Sequence, residues 1–122
     1  MSENLYPAFI KNLPKADLPI EKVVGYLLQG NRGQICFFDF EPGVEVPEHS
    51  HGNKWGVVLE GEFSLTMGGE AKRIRKGESY YIPAGVVHYA TFDRSCKVMD
   101  FFGRCGSVSA EVENKIRSKS QL

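Results

Sequence analysis

Residues 62–75 read Glu62-Phe63-Ser64-Leu65-Thr66-Met67-Gly68-Gly69-Glu70-Ala71-Lys72-Arg73-Ile74-Arg75. Phe63, Leu65 and Met67 fall on one parity, and Glu62, Ser64 and Thr66 on the other. That alternation predicts a half-buried strand. Gly68-Gly69 predicts a two-residue hairpin turn, and Glu70–Arg75 its return strand.

The same reading extends in both directions. Toward the C-terminus, Ser79–Ile82, Val87–Phe92 and Cys96–Phe102 are short β-rich runs separated by turn signals. Toward the N-terminus, strands are predicted at Val23–Leu28 and Gln34–Phe40, with Gly30-Asn31-Arg32-Gly33 as the turn between them. Val44–His51 follows as an extended segment, and Pro47 suits it to a sheet edge. Trp55–Glu60 is almost continuously apolar, which predicts burial on both faces. Eight or nine strands without a substantial core helix predict an all-β fold, a small closed barrel or jelly roll. Residues 1–19 carry Pro7, Pro14 and Pro19 and read as an extended arm. Residues 20–106 form the barrel, and residues 107–122 a short C-terminal helix or tail.

At 122 residues the chain has room for one core. Fifteen basic residues balance fifteen acidic ones, so no general attraction to nucleic acid or to an anionic membrane is expected. No apolar run approaches the ~20 residues of a membrane span. Met1–Phe9 lacks the basic start and apolar stretch of a signal peptide. Cys36, Cys96 and Cys105 form no CxxC pair, and they read as reduced thiols in a cytoplasmic protein.

Three histidines are present, His49, His51 and His88. His49 and His51 stand two apart on an extended segment, so their imidazoles share a face. His88 follows the turn Pro83-Ala84-Gly85. In a closed barrel the three rings can converge, and three neutral imidazoles with an open position are the pattern of a catalytic metal site.

Gly43, His49-Ser50-His51 and Gly61 together resemble the first cupin motif. Gly77, Pro83-Ala84-Gly85 and His88 resemble the second. The chain is thus identified as similar to the small single-domain cupins. The resemblance implies a double-stranded β-helix or jelly-roll barrel, a metal in its mouth held by His49, His51 and His88, and a homodimer. The strand Trp55–Glu60, apolar on both faces, and a Pro-rich arm able to lie across a neighbour also predict a homodimer. The usual fourth ligand is Glu or Gln, seven residues before the closing Gly; here that position is Lys54. The Asn usual after the last His is replaced by Phe92. Charged Lys has three donors and no acceptor, so it cannot ligate a cation. It either snorkels out of the barrel or points inward and holds an anionic ligand.

If Lys54 faces inward, Gly56 and Val58 share its face, and Gly56 leaves room beside the metal for substrate. Asn53 is expected to face outward. Asp100, in the run Val98-Met99-Asp100-Phe101-Phe102, lies either at an exposed edge or in the pocket. Lys54 and Tyr81 are candidate catalytic residues, with Tyr80 the alternative to Tyr81 as hydroxyl donor. Three imidazoles without a carboxylate suit Zn, Ni, Fe or Cu. The leading reading is a mononuclear metal site acting on a small organic molecule by dioxygenase, isomerase or lyase chemistry. The alternative is a non-enzymatic module that binds or senses a small anion or sugar, with weak or no metal because of Lys54.

Overall fold

A computed structural model describes residues 5–103. Nine strands follow one another: β1 (Val23–Gly30), β2 (Gly33–Phe40), β3 (Glu45–His49), β4 (Lys54–Glu60), β5 (Glu62–Met67), β6 (Glu70–Arg75), β7 (Ser79–Ile82), β8 (His88–Thr91) and β9 (Cys96–Gly103). They build a five-stranded sheet in the order β1-β2-β9-β4-β7 and a four-stranded sheet in the order β3-β8-β5-β6. Every pairing between strands is antiparallel. This is the expected all-β jelly roll.

The hairpin at its centre forms as the alternation requires. Glu62 pairs with Arg75 and Met67 with Glu70. Gly68 and Gly69 both have positive φ, 61° and 77°, the left-handed pair that a tight hairpin turn needs. Phe63 and Leu65 are buried against the facing sheet. From that sheet Phe38, Phe40, Val58, Val98 and Phe102 point inward. Each apolar side chain moved out of water in this way contributes roughly 1.5–3 kcal/mol, so the sandwich core dominates stability.

The arm departs from the expected extended form over one turn. Ala8–Lys11 is helical. Ile10 and Lys11 donate their N–H groups to the Pro7 carbonyl at 3.0 and 3.1 Å. Pro7 lacks an N–H that a helix start would leave unpaired anyway, and Pro14 prevents the turn from continuing. Beyond it the arm is extended and adds to the edge of β1: the Ala16 N–H donates to Gly25 O and the Leu27 N–H to Pro14 O, both at 2.8 Å. Tyr6 is buried edge-on against Tyr26 and Phe37, and its hydroxyl donates to Phe38 O at 2.7 Å.

Among the described residues this cover reaches β1, β2 and, through the Tyr6 hydroxyl 3.2 Å from Val98 O, β9, but leaves β4 open. The expected burial of Trp55–Glu60 on both faces is therefore corrected. Gly56 and Val58 are buried, whereas Trp55 is 44% exposed and Val57 and Leu59 are half-buried. The expected C-terminal helix or tail lies outside the described residues. Among those residues no helix is long and apolar enough to cross a membrane.

Candidate metal centre

Pro47 interrupts the ladder of β3, which is an edge strand and tolerates the missing donor. The register shifts between Val46 and His49, and that irregularity sets His49 directly opposite His88 on β8. His51 lies just beyond β3. Its carbonyl accepts the Gly85 N–H at 2.8 Å, which ties the loop of the histidine pair to the turn before His88. Gly85 has φ of 82°, a conformation that favours glycine in this turn.

The three rings meet. Their centroids are 5.1 Å apart for His49 and His51, 4.3 Å for His49 and His88, and 4.5 Å for His51 and His88. Each Nδ1 faces a backbone carbonyl: Pro47 O at 2.9 Å for His49, Gly52 O at 2.7 Å for His51, and Val86 O at 3.0 Å for His88. A carbonyl only accepts, so each Nδ1 carries the proton and each Nε2 is left with a lone pair. The Nε2 atoms of His51 and His88 are 3.0 Å apart. In that tautomer neither has a proton to share, and the two lone pairs face each other as they would across a shared cation. Two ligands at a right angle on one ion, each at its usual bond length, are roughly 2.9 Å apart. Backbone carbonyls that fix the tautomer are also the usual outer partners of metal-bound imidazoles. The donor set therefore fits a divalent transition metal, with one ligand atom per histidine and all of them within 4.8 Å of one another.

Burial lowers the affinity of His51 and His88 for protons, to values of about 4 for each. The nearby Lys54 cation adds to the effect at both rings. Both are thus neutral at pH 7, the form a metal requires.

Lys54 faces inward. Its ammonium lies 3.7 Å from Asp100 Oδ2 and 5.5 Å from the centre of the Phe102 ring. Asp100 is 2% exposed, and its other oxygen accepts the hydroxyl of buried Tyr80. Desolvation raises the Asp100 carboxyl above its ordinary value, while Lys54 and Tyr80 oppose that rise. Asp100 therefore belongs to the pocket rather than to an edge. Gly56 does not leave its space to a substrate: a Cβ there would collide with Asp100 Oδ1 and lie 2.5 Å from the Tyr80 ring. That space holds the Tyr80–Asp100 pair.

Tyr81, expected as a catalytic candidate, lies on the outer face and is 53% exposed. Strand pleating decides this: Tyr80 and Ile82 point in, so Tyr81 points out. Its hydroxyl donates to Asn53 Oδ1 at 3.1 Å, and the same oxygen accepts the Ala84 N–H at 3.0 Å. Asn53 thus faces outward as expected and braces the Pro83–Gly85 turn.

The histidines, Lys54, Tyr80 and Asp100 open on one cavity of about 500 Å³, with Leu18 and Pro19 of the arm and the following Ile20 among its lining residues. The remainder of its wall is apolar.

Residues 36–102 match the cupin domain family, and the chain belongs to it. A 61-residue stretch, 48% of the chain, is 34% identical to a mannose-1-phosphate guanylyltransferase of Salmonella montevideo. The chain spans only 13% of that protein's length. An RmlC-like cupin from Shewanella frigidimarina superposes with a TM-score of 0.70 and 20% identity, over 88% of this chain and 95% of that one. KdgF from Halomonas sp. superposes with a TM-score of 0.66 and 19% identity, over 79% and 93%. At these identities the structural likeness establishes the fold alone.

Proposed function

We propose that this cupin-domain protein is a metal-dependent enzyme whose His49, His51 and His88 hold one divalent transition metal, Zn, Ni, Fe or Cu. Its substrate is a small organic molecule, and its chemistry is of the dioxygenase, isomerase or lyase type. The observation that carries this reading is the convergence of the three rings: each Nδ1 lies against a carbonyl, and one ligand atom from each ring lies within 4.8 Å of the others, placed to share a cation. When bound, such an ion supplies Lewis acidity or redox chemistry.

The chain's own residues do the rest. The apolar wall excludes water and strengthens every polar contact made inside. Asp100 is positioned to exchange a proton with a ligand in the cavity, and Tyr80 holds one of its oxygens while it does so. Lys54 is a fixed positive charge beside the histidines, able to orient an anionic group. Metal content of protein purified without chelator, compared with His49→Ala and His88→Ala variants, tests the reading.

A second reading is favoured by Lys54 itself. A cation in the position of the usual fourth ligand suits a non-enzymatic module that binds a small anion or sugar. Wild-type protein that binds no metal yet retains a ligand would select it.

The working unit we propose is a homodimer in the cytoplasm. Trp55 pairs laterally with Tyr81 on one side and Phe101 on the other. All three are at least 40% exposed, and together they form an apolar band on the outer face of the five-stranded sheet. The free thiols Cys36 and Cys96 fit a reducing compartment.

A further inference from the structure

Aromatic rings surround the cavity in a chain of contacts. Phe102 meets Phe38 at 6.4 Å between centroids, Phe38 meets Phe40 at 5.4 Å, and Phe40 stacks on Phe92 at 3.9 Å. Phe92 stacks on Phe63 at 4.8 Å, and Phe63 meets Tyr80 edge-on at 5.4 Å. The circuit then closes through polar groups. Tyr80 donates to Asp100, Asp100 pairs with Lys54, and Lys54 stands over the Phe102 ring. An apolar belt is thus interrupted at one place only among the described residues, and the histidines lie beside that place.

Charge at the interruption is unbalanced once a metal is held. The three imidazoles are neutral, so a divalent ion with Lys54 carries three positive charges against the single negative charge of Asp100. A region of low dielectric does not tolerate that excess without a counter-charge. The ammonium also has donors to spare: 3.7 Å from Asp100 Oδ2 is an ion pair without a direct hydrogen bond. Among the described residues, no Arg lines the cavity and no helix begins there. A single ammonium without a guanidinium fork is a compact point charge, and it matches the single negative charge of a carboxylate.

We infer that the cavity takes a compact organic carboxylate, its apolar and preferably aromatic body inside the ring belt and its carboxylate on the Lys54 ammonium. This rests on reading the cavity as a small-molecule site beside a metal, and it deepens that reading by naming the class of molecule. Lys54 is the residue that sets specificity. Asp100 and Tyr80 position it.

Calorimetric titration of the full chain with 3-phenylpropanoate and with its neutral amide, 3-phenylpropanamide, tests this. Both metal-free and Zn-loaded protein are used, so failure of metal binding is read separately from failure of anion selection. In the Zn-loaded protein the acid should bind at least tenfold more tightly than the amide; in the metal-free protein, where Lys54 and Asp100 balance, the margin should be smaller but still favour the acid. In Lys54→Met the margin should fall below twofold while amide binding persists, which shows that the belt is intact. Lys54→Arg, which keeps the charge, should keep the preference. Equal binding of acid and amide by wild type would overturn the inference. So would a preference retained in Lys54→Met, or binding of neither compound at millimolar concentration.

Discussion

Replacing Lys54 with glutamine separates two roles of one cation. The first is support of Asp100. At 3.7 Å and an effective dielectric near 20, the ammonium attracts Oδ2 by about 4.5 kcal/mol gross. The Asp100 side chain is only 3% exposed, so water does not replace a lost partner. Protonation is the escape. Holding a carboxyl of ordinary value 3.8 in its neutral form at pH 7 costs about 4.4 kcal/mol, at about 1.36 kcal/mol for each pH unit. The loss in Lys54→Gln is therefore capped near that figure. With Tyr80 still donating and the new amide able to donate, about 2–4 kcal/mol is expected at pH 7. A carboxyl whose value is raised by folding binds its proton before the unfolded chain does. Its penalty thus grows with pH above about 4 and vanishes below, leaving about 1 kcal/mol at pH 4.5. The second role is opposition to the metal, so the same variant should bind Zn at least tenfold more tightly. Urea unfolding of metal-free wild type, Lys54→Gln and the double variant Lys54→Gln/Asp100→Asn at pH 4.5 and 7.5 measures the first effect. Asp100→Asn should restore most of the loss at pH 7.5. A deficit of the same size at both pH values, or none at pH 7.5, would refute the buried pair.

Gly56→Ala should destabilise the protein by about 3 kcal/mol or more, because the new methyl group takes the place of two buried polar atoms; thermal unfolding reads this. The metal-free protein should lose stability as pH falls from about 6.5 to 4: in that window the unfolded chain protonates His51 and His88 and the folded chain does not. A variant with both changed to Gln should show a flatter pH profile by urea unfolding. On the proposed homodimer, wild type should scatter light as a dimer at micromolar concentration and Trp55→Glu as a monomer, with the melting temperature little changed.

The strands were legible in the sequence because each parity is clear where one face is wet. Phe63, Leu65 and Met67 declare their face against Glu62, Ser64 and Thr66. Likewise the three histidines are the only ones in the chain, and all stand at motif positions. Elsewhere the pattern is silent. Val98-Met99-Asp100-Phe101-Phe102 is apolar on both parities, so the direction of Asp100 depends on its neighbours: it pairs with Cys36 on one side and Gly56 on the other, both inward. Tyr80 and Tyr81 are alike in chemistry and differ only in the phase of the pleat. The exposure of Trp55 follows from how far the arm reaches across the sheet, a long-range matter that no local run encodes. The helical turn at Ala8–Lys11 was hidden by the flanking prolines, which permit a turn between them as readily as an extended segment.

On the proposed reading, three imidazoles in one tautomer share one ion. Its most direct test is metal analysis by mass spectrometry of protein purified without chelator, followed by titration of the stripped protein with Zn and Ni. Close to one transition-metal ion per chain is expected, with loss of at least a hundredfold in affinity in His88→Ala. A stripped wild type that binds neither ion below millimolar concentration, or a His88→Ala variant that binds as tightly as wild type, would contradict it.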